Sequence, residues 1–316
     1  MDRNLALEFV RVTEAAAIAT AEWIGRGEAK KADGAAVNEM RSRFNQIDFK
    51  GTVVIGEGSK DEAPELYNGE QVGSGNGPEM DLAVDPLEAT DSVAFGRYNA
   101  ISVIVAGSPG SLLNAPDTYM EKIAVGKEAA SVIDLDAPVV DNIKKTAKAL
   151  GKDTREITVV VLDRPRHEEL INQIRAANAR VRLITDGDVA AAISACFNDN
   201  EIDMLMGIGG STEGVLAAAA ISIMGGELLG RFKPPNEKHA TKISEFGLDS
   251  KTIYRAGDLA KGRQLTFTAT GVIDGPLLGG VVFHKNCIVT HSMVLRGISG
   301  TLRYIETHHD IFGIKK

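Results

Sequence analysis

The sequence is poor in cysteine, in aromatic residues and in long apolar runs, and each shortage removes a class of protein. Its only cysteines, Cys196 and Cys287, form no C-x-x-C pair and no zinc-ligand spacing, so neither a disulfide scaffold nor a zinc site is expected. Cys196 lies in the apolar run Ala190 to Phe197, where a free thiol behaves as a small buried hydrophobe. No stretch approaches the ~20 apolar residues that a membrane span needs. The start, Met1-Asp2-Arg3-Asn4, lacks the apolar segment of a secretion signal. A cytoplasmic, reducing setting is expected. Positive charge is also short: 35 Lys and Arg against 43 Asp and Glu give a formal net charge of -8. A phosphate backbone repels that balance, so nucleic acid is not an expected partner. An acidic enzyme that takes an anionic substrate needs clustered Arg and Lys, or bound metal, in its site.

What is present is an ordinary globular composition, 44% hydrophobic and 25% charged over 316 residues, enough to bury a core without covalent staples. Neither a repeat nor a low-complexity segment occurs. Leu5, Phe9, Val12, Ala16, Ala19 and Trp23 recur at helical spacing, and Gly25 and Gly27 stop that helix. A second helix carries Val37, Met40, Phe44 and Ile47 on one face, with Asp33 just before it as an N-cap. Three short apolar runs read as strands: Thr52 to Ile55, Leu82 to Val84 (ending at Asp85-Pro86) and Ile101 to Ala106. The second half alternates strand and helix. Ile157–Leu162, Val181–Thr185 and Met204–Ile208 read as strands, and each precedes a helix over Glu168–Ala177, Val189–Phe197 or Val215–Met224. Such alternation implies βαβ units and a partly parallel sheet. Gly151-Lys152-Asp153 marks a seam between an N-terminal half, 1–150, and a C-terminal α/β half, 151–316. The tail from Leu265 to His309 reads as mostly strands, and His308 and His309 read as an exposed end.

Three patterns carry chemistry. Acidic residues stand where strands stop: Glu57, Asp85 with Glu88, Asp186 with Asp188, and Glu213 after a glycine loop. Ligands of open α/β sheets bind outside the carboxyl ends of strands. Carboxylates gathered there need cations, and hard oxygen donors suit Mg²⁺ or Mn²⁺; solvated loop acids are the competing reading. The run Gly207-Ile208-Gly209-Gly210-Ser211-Thr212-Glu213-Gly214 joins a strand to a helix, a place where backbone N–H groups meet anions. It lacks the spacing of a dinucleotide loop. Finally, Arg164-Pro165-Arg166-His167 follows a strand, and two guanidiniums there suit a phosphate clamp. His167 itself reads as a polar residue at a helix start rather than a catalyst.

The chain resembles the class II fructose-1,6-bisphosphatases of bacteria, within the lithium-sensitive sugar and inositol phosphatases. The resemblance rests on Val10 to Glu14, Ala32-Asp33-Gly34-Ala35-Ala36-Val37, Gly51 to Gly58, Asp61-Glu62-Ala63-Pro64, Leu113 to Asp117, Asp163 to His167, Asp186 to Ala190, Gly209-Gly210, Glu213 to Leu216 and Ala269 to Val272. It implies a layered α/β fold with sheets sandwiched between helices. It implies that Asp33, Glu57, Asp85, Glu88 and Glu213 ligate Mg²⁺ or Mn²⁺, most of them carried by the N-terminal half. Thr90 would orient the attacking water, placing Thr90, Asp33 and Glu57 in catalysis. Glu88, Ala89, Thr90, Tyr119, Arg164, Pro165, Arg166, Asp186, Gly187, Asp188 and Gly210 would contact a sugar bisphosphate. It also implies a role in gluconeogenesis and a homodimer or homotetramer.

Two positions depart from the family pattern. Asp85-Pro86-Leu87-Glu88-Ala89-Thr90 has Ala89 where the wider superfamily has Gly, and Asp91 follows. If position 89 needs positive φ, a Cβ there costs on the order of 1 kcal/mol. Gly210-Ser211-Thr212-Glu213 stands where the family usually has Ala-Pro before the Glu. The expectation is a phosphatase whose activity or substrate affinity is raised by Ala89→Gly. Sedoheptulose 1,7-bisphosphate or an inositol phosphate is the alternative substrate, and a weakly catalytic sugar-phosphate-binding protein is the alternative of another class.

Overall fold

The computed structural model describes residues 5–58, 65–197 and 201–310. In chain order the described residues form α1 (Leu5–Ala21), α2 (Ala29–Phe44), β1 (Lys50–Ile55), β2 (Gln71–Val72), β3 (Glu79–Glu88), α3 (Thr90–Phe95), β4 (Ala100–Gly107), β5 (Tyr119–Val125), α4 (Val139–Leu150), β6 (Thr158–Leu162), α5 (Glu168–Ala176), β7 (Arg180–Ile184), α6 (Asp188–Ser194), β8 (Met204–Gly210), α7 (Ser211–Met224), β9 (Glu227–Phe232), α8 (Glu237–Glu245), β10 (Tyr254–Arg255), α9 (Ala256–Leu259), β11 (Thr266–Ile273), β12 (Val282–Phe283), β13 (Ile288–Arg296) and β14 (Thr301–His309). This is the expected α/β class, with two mixed sheets and helices. Contacts divide the chain into two units, the first made of 1–111 and 263–316, the second of 112–262. Gly151 therefore lies inside the second unit, as the left-handed cap that ends α4. The motif residues Asp61-Glu62-Ala63-Pro64 and the start Met1 to Asn4 lie outside the described residues.

The first unit is built on an eight-stranded sheet ordered β12-β13-β11-β4-β3-β1-β2, with β14 paired to β13. Most strands are antiparallel; β1 and β3 are parallel. Phe9 of α1, Phe44 of α2 and Phe49 meet edge to face, with centroids 5.5–6.0 Å apart. All three are fully buried, in the geometry that aromatic quadrupoles favour. They anchor α1 and α2 in the core beneath the sheet. α2 begins at Ala29, so Asp33 lies within the helix instead of capping it. Ala29-Lys30-Lys31-Ala32 are strong helix formers and extend the helix toward the N-terminus. Glu28 is the cap position.

β3 runs on through Pro86, past the point where the apolar pattern stops. A proline in a central strand requires a bulge or a missing neighbour, and both occur. The pairing with β1 ends at Ala83, and the register against β4 shifts between Asp85 and Glu88. His308 and His309 are not a free tail. They belong to β14, opposite Val289 and Ile288, and His309 Nε2 lies 2.9 Å from Thr290 Oγ1.

The second unit has a six-stranded sheet ordered β10-β9-β5-β8-β6-β7. The expected strand–helix alternation is its parallel part: β6 is parallel to both β7 and β8. Antiparallel β5 and β9 complete it. Its core gathers Val125, Ile143, Ile157, Val159, Val161, Ile174 and Met204. The unit closes on itself where it begins and ends: Leu112 bridges Ala260, and Leu113 N donates to Leu259 O at 2.8 Å. Cys196 is partly buried, and burial pushes its thiol up to about 12.

Candidate functional site

In the first unit the bulge on β3 decides how the carboxylates point. Asp85 stands opposite Val103 and Glu88 opposite Ile101. Val103 and Ile101 are two apart on β4 and so share a face of the sheet. Directly opposed residues also share a face. The extra residue between Asp85 and Glu88 therefore brings both carboxylates to one side, which regular alternation would forbid. Glu88 is buried at 3% exposure. Ala89 follows at φ 74°, ψ 51°, in the left-handed region. The condition for strain at this position is met: an alanine occupies a conformation that suits glycine. Thr90 opens α3 and its hydroxyl donates to Leu87 O at 3.3 Å, leaving its lone pairs available. Asp91 is in the first turn of α3, where a negative charge meets the positive end of the helix dipole. Glu57 lies just beyond β1, its N–H donating to Leu66 O at 3.0 Å. A Cβ on the preceding Gly56 would sit 1.9 Å from that carbonyl, so glycine is required there. On α2, burial raises the pKa of Asp33.

In the second unit the turns after β6, β7 and β8 lie at the carboxyl ends of parallel strands. The first two carry Arg164 to Arg166 and Asp186 to Asp188; the third is the direct junction of β8 with α7, where Gly207 to Gly210 end the strand and Ser211 to Glu213 open the helix. Gly187 is left-handed (φ 80°) and delivers Asp188 as the first residue of α6. Asp188 does not stand alone. Lys122 Nζ lies 2.6 Å from its Oδ2, with Lys122 2% and Asp188 6% exposed. The same Nζ donates to Gly210 O at 2.9 Å. Lys122 thus ties the head of α6, just after the turn that follows β7, to the end of β8. The sequence hides it, because Glu121 and Lys122 separate Met120 from the apolar stretch Ile123 to Val125; a lysine at an inward strand position is the available signal.

The glycines admit carboxylates over the backbone. A Cβ at Gly209 would meet Asp188 Oδ2 at 1.8 Å, and one at Gly210 would meet Glu213 Oε2 at 1.8 Å. Thr212 Oγ1 donates to Glu213 Oε2 at 2.8 Å. Burial raises the Glu213 pKa first and the charge of Asp188 raises it further; Lys122 and the Thr212 bond pull it back. Arg166 donates through Nη2 to Ile208 O at 2.8 Å and lies 5.0 Å from the centroid of the Tyr119 ring. Tyr119 is 39% exposed. Arg164 Nη1 donates to Asp163 O at 3.0 Å, and Pro165 starts the short 3-10 turn to His167.

Among the described residues, no three His, Cys, Asp or Glu side chains form a group able to hold a metal ion. Within each unit the carboxylates are of a chemistry that suits a hard divalent cation: burial disfavours the ionised form of Asp33 in the first unit and of Glu213 in the second, and a cation beside either would restore it. No described helix is long and apolar enough to cross a membrane.

The family model described as bacterial fructose-1,6-bisphosphatase, glpX-encoded, matches residues 3–309. The chain is 45% identical to the fructose-1,6-bisphosphatase 1 class 2 of Escherichia coli strain K12, over 98% of this chain and 96% of the relative. It is equally similar to the class 2 fructose-1,6-bisphosphatases of Escherichia coli O6:H1 and of Shigella flexneri.

Proposed function

This chain belongs to the bacterial, glpX-type fructose-1,6-bisphosphatase family, and from that premise we propose that it hydrolyses the 1-phosphate of fructose 1,6-bisphosphate to give fructose 6-phosphate and phosphate. It is a phosphoric monoester hydrolase serving gluconeogenesis, and like its family it depends on metal. The observation that carries the reading is the match itself, which spans nearly the whole chain and its relatives alike.

Mg²⁺ or Mn²⁺ is the proposed metal, with Asp33, Glu57, Asp85, Glu88 and Glu213 as ligands. When bound, the ion would supply positive charge to the phosphate oxygens, which the carboxylates alone would repel. Thr90, at the head of α3 with its lone pairs available, orients the attacking water. Asp33 and Glu57 take part in that step. Glu88, Ala89 and Thr90 border the phosphate that is cleaved. Arg164, Pro165, Arg166 and Tyr119 hold the phosphate that stays, and Asp186, Gly187, Asp188 and Gly210 contact the sugar. Phosphoryl transfer asks the protein mainly for positioning and charge neutralisation, which this division of labour provides. The cytoplasm is the proposed location, and a homodimer or homotetramer the proposed assembly.

The test is phosphate release from fructose 1,6-bisphosphate with Mg²⁺, with Mn²⁺ and with excess chelator. Turnover should vanish with chelator and return with one of the two ions. Undiminished turnover in chelator would remove metal from the mechanism. Faster release from sedoheptulose 1,7-bisphosphate or an inositol phosphate would reassign the substrate.

A further inference from the structure

His167 is 2% exposed and uses both ring nitrogens. Nδ1 lies 2.7 Å from Leu162 O, and Nε2 lies 2.8 Å from Ile208 N. A carbonyl only accepts and an amide N–H only donates. The ring is therefore neutral, with its proton on Nδ1 and a lone pair on Nε2. Both bonds replace sheet. The β6–β8 ladder pairs only Val159 with Met204 and Val160 with Leu205. Beyond Leu205 the edge of β8 that faced β6 is left to side chains. Ile208 N–H goes to His167, while Ile208 C=O goes to the neighbouring Arg166, through Nε at 3.2 Å and Nη2 at 2.8 Å. Gly207 makes room for the ring: its φ is +137°, and a Cβ there would stand 3.1 Å from Nε2.

We infer that His167 is a positioning residue, a neutral imidazole that fixes Ile208 and so holds the Arg166 guanidinium and the end of β8 from Gly207 to Gly210 in the geometry the substrate needs. The inference rests on the proposed reading that Arg166 and Gly210 contact the sugar bisphosphate. Protonation undoes the arrangement, because Nε2–H would then face Ile208 N–H, donor against donor. Burial lowers the His167 pKa, the Leu162 bond opposes that, Arg166 and Arg164 of its own turn lower it further, and Asp188 of α6 raises it. From β6 and β8, the bonds to the ring come from backbone alone. The neutral ring is thus favoured in the fold, and the clamp is lost only as acid overcomes that preference.

The test compares wild type, His167→Leu and His167→Gln across pH. The Leu variant leaves Ile208 N–H buried and unpaired, so KM for fructose 1,6-bisphosphate should rise roughly tenfold. Its kcat should change less, since a clamp on the spectator phosphate contributes binding common to ground and transition states. Gln places Oε1 where Nε2 stood and does not titrate, so it should restore KM and lose the rise in KM that wild type shows in acid. An unchanged KM in the Leu variant, or an acid limb kept by the Gln variant, would overturn the inference. Nitrogen-15 NMR of the wild-type ring separates this from the enzyme's identity. A proton on Nδ1 and a bare Nε2 at neutral pH support the clamp, and the reverse tautomer refutes it. Failure of wild type to release phosphate would instead sink the functional reading, with the ring spectrum still deciding the clamp.

Discussion

Ala89 shows how several small terms decide a substitution. Its left-handed φ of 74° costs about 1–2 kcal/mol for a residue with a Cβ. Its buried methyl offsets about 0.8 kcal/mol of that. Glycine would also loosen the unfolded chain, at a cost of about 0.4–1 kcal/mol. The terms nearly cancel, so Ala89→Gly should leave unfolding free energy within about 1 kcal/mol of wild type. Its effect should appear in kcat/KM, which is expected to rise as the turn between Glu88 and Thr90 loses its methyl. Urea titration and steady-state kinetics on the same preparation check both halves; an equal or lower kcat/KM would show the methyl to be harmless. Lys122 is the opposite case, one large term. Lys122→Met strips a buried carboxylate of its cation, and breaking one side of such a pair costs about 3–5 kcal/mol. Adding Asp188→Asn should recover a good part of the loss, which a double-mutant cycle by denaturant unfolding measures.

At the scale of elements, the junctions carry most of the proposed site residues. Gly210→Ala would drive a Cβ into Glu213 Oε2, the far end of a flexible side chain. The carboxylate should swing away while β8 and α7 stay, so melting temperature should hold within a few degrees. About 1 Å of misplacement can cost 10²-fold in rate, and kcat/KM should fall by about that much. At the head of α3, Thr90→Ala should lower kcat by about 10²-fold or more with a smaller effect on KM, as expected when a water loses its partner in the transition state. These junctions were only partly legible in the sequence. The strands and helices of the parallel part are legible from alternation because each strand is a short apolar run followed by a helix, amphipathic in α5 and buried nearly all round in α6 and α7. β5 was missed because Glu121 and Lys122 break its pattern. The passage of β3 through Pro86 was missed because it depends on where β1 stops, which is a fact about pairing. Glu57, Asp85, Glu88, Asp186, Asp188, Glu213, Arg164 and Arg166 were legible from their place after strands, Asp33, Thr90 and Tyr119 came from resemblance, and the work of Lys122 and His167 lies in contacts with Asp188 and Ile208, far away in sequence.

At the scale of the molecule, the second unit is an insertion in the first, with its own core and with ends joined through Leu112 and Ala260. Residues 112–262 made alone should therefore fold cooperatively, as a domain with adjacent termini can. A piece ending at residue 150 should not, since it lacks β11, the partner of β4. Circular dichroism and calorimetry on the two pieces check this; a structureless 112–262 would refute it. The insertion also sets a timetable for synthesis. As the chain leaves the ribosome, β4 emerges long before the strand it must pair with, and Ala106 cannot meet Thr266 until the whole second unit has been made. Left as a flexible loop, that unit would burden the closure with the entropy of its full length. Folded first, it brings the two ends of the interruption side by side, and the waiting sheet has only a short gap to close.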